Sequence, residues 1–158
     1  MNVSRREWIR VVGLATASLV VTRRAFGATS GEVAKITVYK TPTCGCCKEW
    51  VKHVNASGFF KATVHDLDDL SSIKRSLGVP TALESCHTAV VGRLVIEGHV
   101  PADLIRKVGA DPNPPKGIAG LAVPGMVAGS PGMETGTKEP YDVIAFYTNG
   151  KTSIYAHR

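Results

Sequence analysis

No stretch of this 158-residue chain is long and apolar enough to span a bilayer as a helix. Its mild apolar run, Val11 to Val21, is only eleven residues and contains Gly13, Thr16 and Ser18, whereas a spanning helix needs about 20 apolar residues. Runs of basic residues interleaved with aromatics are missing too, although the formal charge is +6. Five of the 19 Lys and Arg and one of the 13 Asp and Glu fall in residues 1–27, which leaves fourteen bases against twelve acids, a net of +2, in the remainder. That balance gives electrostatic nucleic-acid binding no support. The chain also lacks a glycine-rich phosphate loop, a Ser-His-Asp arrangement and closely paired carboxylates, so nucleotide-binding and hydrolase readings have no site. Methionine is scarce: beyond the initiator there are only Met126 and Met133. The length suits one domain with a real core and not comfortably two.

What the first residues do contain is a charged start, Ser4-Arg5-Arg6-Glu7-Trp8-Ile9-Arg10, then the short apolar run, then Arg23-Arg24-Ala25-Phe26-Gly27-Ala28. This is the layout of an export signal, and the paired arginines resemble the twin-arginine type. It predicts a signal peptide over residues 1–27, a single domain over 28–158, periplasmic localisation and no stable membrane anchor after cleavage. In an oxidising compartment four cysteines would suggest two disulfides. Three of them, however, crowd into positions 44 to 47, where a bridge needs well-directed Cβ vectors that near neighbours rarely offer. A simple disulfide framework is not expected.

Ala34 to Tyr39 alternates and is β-branched, a first strand. Thr41-Pro42-Thr43 breaks it, and Cys46 to Ala56 carries Trp50, Val51 and Val54 at helical spacing. Lys61 to Leu67 reads as a second strand, and Asp69 or Ser71 to Leu77 as a short helix stopped by Gly78-Val79-Pro80. Thr88 to Val91 and Leu94 to Glu97 form a hairpin about Gly92-Arg93. A third helix begins at Pro101 and ends near Val108. The order predicts an α/β fold, a thioredoxin-like mixed sheet with flanking helices. Residues 109–140 hold six of the nine prolines and seven of the 16 glycines, which predicts a long irregular Pro/Gly/Met loop. A C-terminal hairpin, Asp142 to Thr148 and Thr152 to Ala156 about Asn149-Gly150, is expected to add a sheet edge that ties the loop back.

Cys44, Cys46 and Cys47 stand where the first strand turns into the first helix, where the helix dipole favours thiolates. Cys44-x-x-Cys47 alone has the spacing of a thiol–disulfide oxidoreductase. A third sulfur between them suits a soft metal ion better than a two-electron shuttle, since thiolates select Cu(I), Zn(II) or iron–sulfur clusters. Cys86-His87 precedes the third strand, where a thioredoxin-like layout would bring Cys86 opposite the first cluster and let His87 add an imidazole nitrogen or point into the sheet. Met126 and Met133 sit in the irregular loop, not on a helix, and a thioether suits Cu(I) better than Zn(II). The candidate metal ligands are thus Cys44, Cys46, Cys47, Cys86, His87, Met126 and Met133, with Cu(I) favoured over zinc. His99, between a strand and a helix, is expected to be a structural contact more often than a ligand. His53 and His65 are expected on the surface or satisfied in the core, and His157 carries no signal.

Tyr39-Lys40-Thr41-Pro42-Thr43-Cys44-Gly45-Cys46-Cys47, Ser85-Cys86-His87-Thr88-Ala89-Val90, Ile96-Glu97-Gly98-His99-Val100-Pro101 and the repeated Pro-Gly-Met at 124–126 and 131–133 together resemble the CopG family. The likeness runs from about Ile36 to the C-terminus. It implies a periplasmic copper-resistance protein of thioredoxin-like fold, copper at the cysteine cluster, copper-linked redox activity, and other periplasmic copper-handling proteins as partners. Val79-Pro80 resembles the proline signature of thioredoxins, but its distance from the next strand puts Cys86 in that place instead.

Overall fold

The structure, a computed structural model, describes residues 33–158; the expected signal peptide, residues 1–27, lies outside the described residues. Strand β1 (Ala34–Lys40), helix α1 (Gly45–Ala56) and strand β2 (Phe60–Asp66) form a first crossover. Helix α2 (Ser71–Ser76) and a 3-10 turn at Thr81–Leu83 lead to the hairpin of β3 (His87–Val91) and β4 (Leu94–Gly98). Helix α3 (Ala102–Ala110) connects β4 to β5 (Ile118–Val123), and β6 (Asp142–Tyr147) and β7 (Thr152–His157) close the chain. The strands make one mixed seven-stranded sheet in the order β2-β1-β3-β4-β5-β6-β7, so the α/β class expected from the sequence is the class observed. No helix among the described residues is long and apolar enough to cross a membrane.

Two faces follow from the period-2 alternation of the strands. Ile36, Val38, Ala89, Ile96, Leu121, Val123, Val143 and Ala145 point to one core. The buried stripe of α1, with Trp50 and Val54, and that of α3, with Leu104, Ile105 and Val108, pack on the same core. Both crossover helices therefore cover one face. On the other face Val95, Ala122 and Phe146 pack with Val79 and Leu83, which flank or lie in the 3-10 turn.

The expectation of an irregular loop over 109–140 is corrected by β5, which runs through the middle of that segment and pairs parallel with β4 and antiparallel with β6. Glycine usually breaks a strand, yet Gly120 is needed for close packing: a Cβ on it would collide with the Val95 carbonyl oxygen and the Phe146 ring. In a buried strand such a glycine marks backbone approach. The C-terminal hairpin does extend the sheet edge, through β5 and not through a loop. Gly109, expected just after α3, lies inside it.

Sheet direction positions the site. β3 runs antiparallel to both β1 and β4, and β5 runs parallel to β4. The carboxyl ends of β1, β4 and β5 thus share one edge, and in open α/β sheets ligands bind beyond that edge.

Candidate metal centre

At the β1 edge, Cys44 is the N-cap of α1, with an extended backbone (φ −67°, ψ 104°) and its Sγ accepting the Cys47 N–H at 3.3 Å. Sulfur takes the capping role that Ser or Asp normally fills, because an acceptor here satisfies an orphan amide of the first turn. Cys44 and Cys47 are joined as a disulfide, with Cα atoms 5.4 Å apart. Crowding was expected to make such a bridge awkward, but the cap-to-first-turn spacing brings the two Cα atoms within the usual 4.4–6.8 Å window, and the pair bridged is the one with oxidoreductase spacing. Cys46 and Cys86 are free thiols. Cys46 Sγ lies 3.5 Å from Cys44 Sγ and 3.7 Å from Cys86 Sγ, and Cys47 Sγ lies 3.6 Å from the Cys86 carbonyl oxygen. All four sulfurs fall within 4.8 Å of one another.

Cys86 reaches them because Lys40, the last residue of β1, pairs with His87, the first of β3. The expectation that Cys86, and not Pro80, faces the helix start is met in this geometry. His87 is fully buried, its ring 4.4 Å from that of Trp50, with Nδ1 3.5 Å from Cys86 Sγ and Nε2 without a partner. His99, one residue past β4, is also buried, and its Nε2 sits 3.0 Å from Cys86 Sγ while Nδ1 donates to the Pro131 carbonyl at 2.8 Å. A carbonyl acceptor on one ring nitrogen fixes the tautomer and leaves the other lone pair aimed at the cluster, the arrangement typical of metal-bound histidines. Cys86, His87 and His99 form a second donor group within 4.8 Å that shares Cys86 with the first.

Electrostatics agree with a soft-metal site. Burial lowers the His87 pKa well below its usual value, with His99, Lys74 and Lys40 adding repulsion. Burial also lowers that of His99. Both imidazoles are therefore neutral near pH 7, the form that binds metal. Burial, then the neighbouring Cys46, pushes the Cys86 thiol up to about 12. A cation in the cluster would reverse that penalty, because it supplies the charge the buried thiolate lacks.

The two candidate methionines differ in exposure. Met126 is 62 % exposed, in the loop after β5. Met133 is half-buried and follows Gly132, whose missing Cβ leaves room for the Cys46 carbonyl and the Trp50 amide. His53 accepts the Ala102 N–H at 3.2 Å. His65 is exposed and stacks on Tyr39, and His157 pairs with Asp142 near the chain end. His99 is the site residue that sequence reasoning underweighted. No local signal marks it: it joins the site because β4 runs the same way as β1, so both strand ends reach one edge.

Residues 83–133 match a family described as "Protein of unknown function, DUF411", and no curated protein matches. Two solved structures of proteins named "Copper resistance protein copG", Form 2 and Form 1, are each 43 % identical with a TM-score of 0.74. The matches cover 80 % of this chain and 99 % and 98 % of theirs. The chain belongs to the CopG family. The CopG resemblance read from four motifs thus holds across most of the chain, and the matched family segment contains Cys86, His87, His99, Met126 and Met133.

Proposed function

We propose that this protein binds Cu(I) in the periplasm, as a thiolate-bridged cluster of more than one ion, in copper resistance or homeostasis. The observation that carries this reading is Cys86, shared by a four-sulfur group and a Cys-His-His group. Together they offer more soft donors than one Cu(I) ion uses, and thiolate sulfur can bridge ions. The donor set favours copper over zinc, as polarizable thiolates with neutral imidazoles rank Cu(I) highly. The CopG relatives, named as copper resistance proteins, point the same way. Loading would draw on the reduced chain, since the Cys44–Cys47 bridge occupies two of the four sulfurs.

The test is anaerobic: reduce the purified chain, load it in competition with a Cu(I)-specific chelator, and count copper per chain beside Zn(II) retention. We expect more than one copper per chain, a lower count in Cys86→Ala with unchanged far-UV circular dichroism, and zinc displaced by copper. Equal or stronger zinc retention sinks the copper assignment, and one copper in both proteins makes the site mononuclear and confined to the first loop.

The disulfide itself favours a second reading, a thiol–disulfide oxidoreductase using Cys44 and Cys47. That reading demands turnover of a small disulfide substrate that survives Cys46→Ser and Cys86→Ala.

A further inference from the structure

Beneath the cysteine edge, on the sheet face away from α1 and α3, lies a charged cluster that the metal reading leaves unused. Glu97 of β4 is fully buried and Lys74 of α2 is 5 % exposed. Lys74 Nζ ion-pairs with Glu97 Oε1 and donates to Thr88 Oγ1 at 3.1 Å. Thr88 Oγ1 donates to Glu97 Oε2 at 2.6 Å, and the Ser85 backbone N–H donates to Glu97 Oε1 at 2.6 Å. Burying an ion pair is costly, and well-packed apolar residues of similar volume are often as stable or more so. A buried pair is thus weak evidence for a purely stabilising role.

We propose that Glu97, held by Lys74 and Thr88, is a positioning residue that fixes the Ser85–Cys86 loop and so sets the place of the Cys86 thiol over the cysteine cluster. Three consecutive residues act on that loop. Glu97 anchors the Ser85 N–H. Gly98, at φ 68°, leaves the space that Ser85 fills: a Cβ there would come within 2.5 Å of Ser85 Oγ and 2.6 Å of the Val123 carbonyl oxygen. His99 meets the Cys86 sulfur at 3.0 Å. On its other side Ser85 Oγ donates to the Gly125 carbonyl, and the Gly125 N–H reaches the Glu84 carbonyl at 3.5 Å. A loop without regular structure thereby gains fixed points on β4, on α2 through Glu97, and on the segment after β5. Sites held within fractions of an ångström need such supporting hydrogen bonds.

The inference rests on the copper reading only for its copper readout. Two variants of the whole chain separate anchoring from charge. Lys74→Met/Glu97→Gln removes the ion pair but keeps an amide oxygen for the Ser85 N–H. Lys74→Met/Thr88→Val/Glu97→Leu makes the layer apolar and removes that acceptor. We expect the first to stay much nearer the wild-type alkylation rate than the second, because the Ser85 N–H keeps its acceptor. In the second, with circular dichroism unchanged, we expect iodoacetamide to alkylate Cys86 about tenfold faster or more, because an unanchored loop opens locally, with the rate at Cys46 as reference. Its copper count should fall to that of Cys86→Ala. Alkylation of Cys86 at the wild-type rate in the folded triple variant overturns the proposal. If the triple variant does not fold, amide hydrogen exchange on wild type decides: the Ser85 amide should exchange only with global unfolding, and exchange as fast as at Thr81 and Ala82 overturns it. A wild-type chain that takes up no copper fails the copper reading, while alkylation and exchange still decide the role of Glu97.

Discussion

Two strand-to-helix corners meet at the same sheet edge, and they are built in opposite ways. The corner from Lys40 to Cys47 is partly open: Cys44 and Cys46 are half-buried, Gly45 is exposed, and the helix caps itself with its own sulfur. The corner from Gly98 to Ala102 is closed. His99 and Val100 are fully buried, and its N-cap, Pro101, makes no side-chain cap bond. It depends instead on α1, whose Trp50 Nε1 donates to the Val100 carbonyl at 2.9 Å and whose His53 accepts the Ala102 N–H. Each corner offers a helix N-terminus with the same dipole. What separates a reactive corner from a supporting one is the side chains in the first turn, not the fold that presents them.

The largest expected effect breaks the first corner. Cys44→Ser and Cys47→Ser should each abolish stable copper loading, measured as copper per chain after anaerobic loading and dialysis, because each removes a sulfur from a four-sulfur group. Full stoichiometry in either variant would mean that the first corner is not the site. A smaller effect should follow from disturbing the cover between the corners. Gly132 has φ 83°, and a Cβ on it would sit 2.7 Å from the Cys46 carbonyl and 2.6 Å from the Trp50 amide nitrogen. Gly132→Ala should lift this segment and weaken the neighbouring bond from His99 to the Pro131 carbonyl. Loss of such an outer hydrogen bond lowers metal affinity about 10–100-fold. Competition titration against a chelator reads it, and unchanged affinity with an intact fold would show that the cover is not part of the centre.

The first corner was legible in the sequence because its signals are local: a β-branched strand, a Thr-Pro-Thr break and three cysteines within four residues. Cys86 was legible through its place before a strand. The second corner was not, because His99 joins the cluster only through the order and direction of β1, β3 and β4, which spacing along the chain does not carry. The disulfide was legible as the Cys44-x-x-Cys47 spacing, but the third cysteine between them outweighed it, although the helix start alone sets the distance between Cys44 and Cys47. Strand β5 was hidden by Pro112, Pro114, Pro115, Gly117 and Gly120, four of which precede it as punctuation. Gly120 within it answers to the Phe146 ring across the sheet, a contact between residues 26 apart. Glu97 and Lys74 gave no local sign of burial, because a charged pair is stabilised inside only by partners from other elements.

The smallest expected effect tests the strut between the corners. His53 sits on the body of α1, half-buried, and its Nε2 accepts the first amide of α3. His53→Ala should leave copper stoichiometry unchanged, since no cysteine contact involves it. It should cost about 1 kcal/mol, the usual loss when a helix-start amide loses its cap, seen as a drop of a few degrees in thermal midpoint. The same bond has a pH signature. Burial lowers the His53 pKa from 6.5, with Glu134 and Asp103 pulling the other way. A lowered folded-state pKa means that the unfolded chain binds the proton more readily. The contribution is therefore complete above pH 6.5 and is lost as pH falls through the folded value. His87 and His99 are lowered too and act with the same sign. Wild-type stability should thus decline below about pH 6.5, and the decline in His53→Ala should be shallower by the share of one histidine. Unfolding curves at pH 7.5 and pH 5 in both proteins make the measurement. A steeper acid loss in His53→Ala, or a fall in its copper count, would show that α1 supports the second corner by some means other than this hydrogen bond.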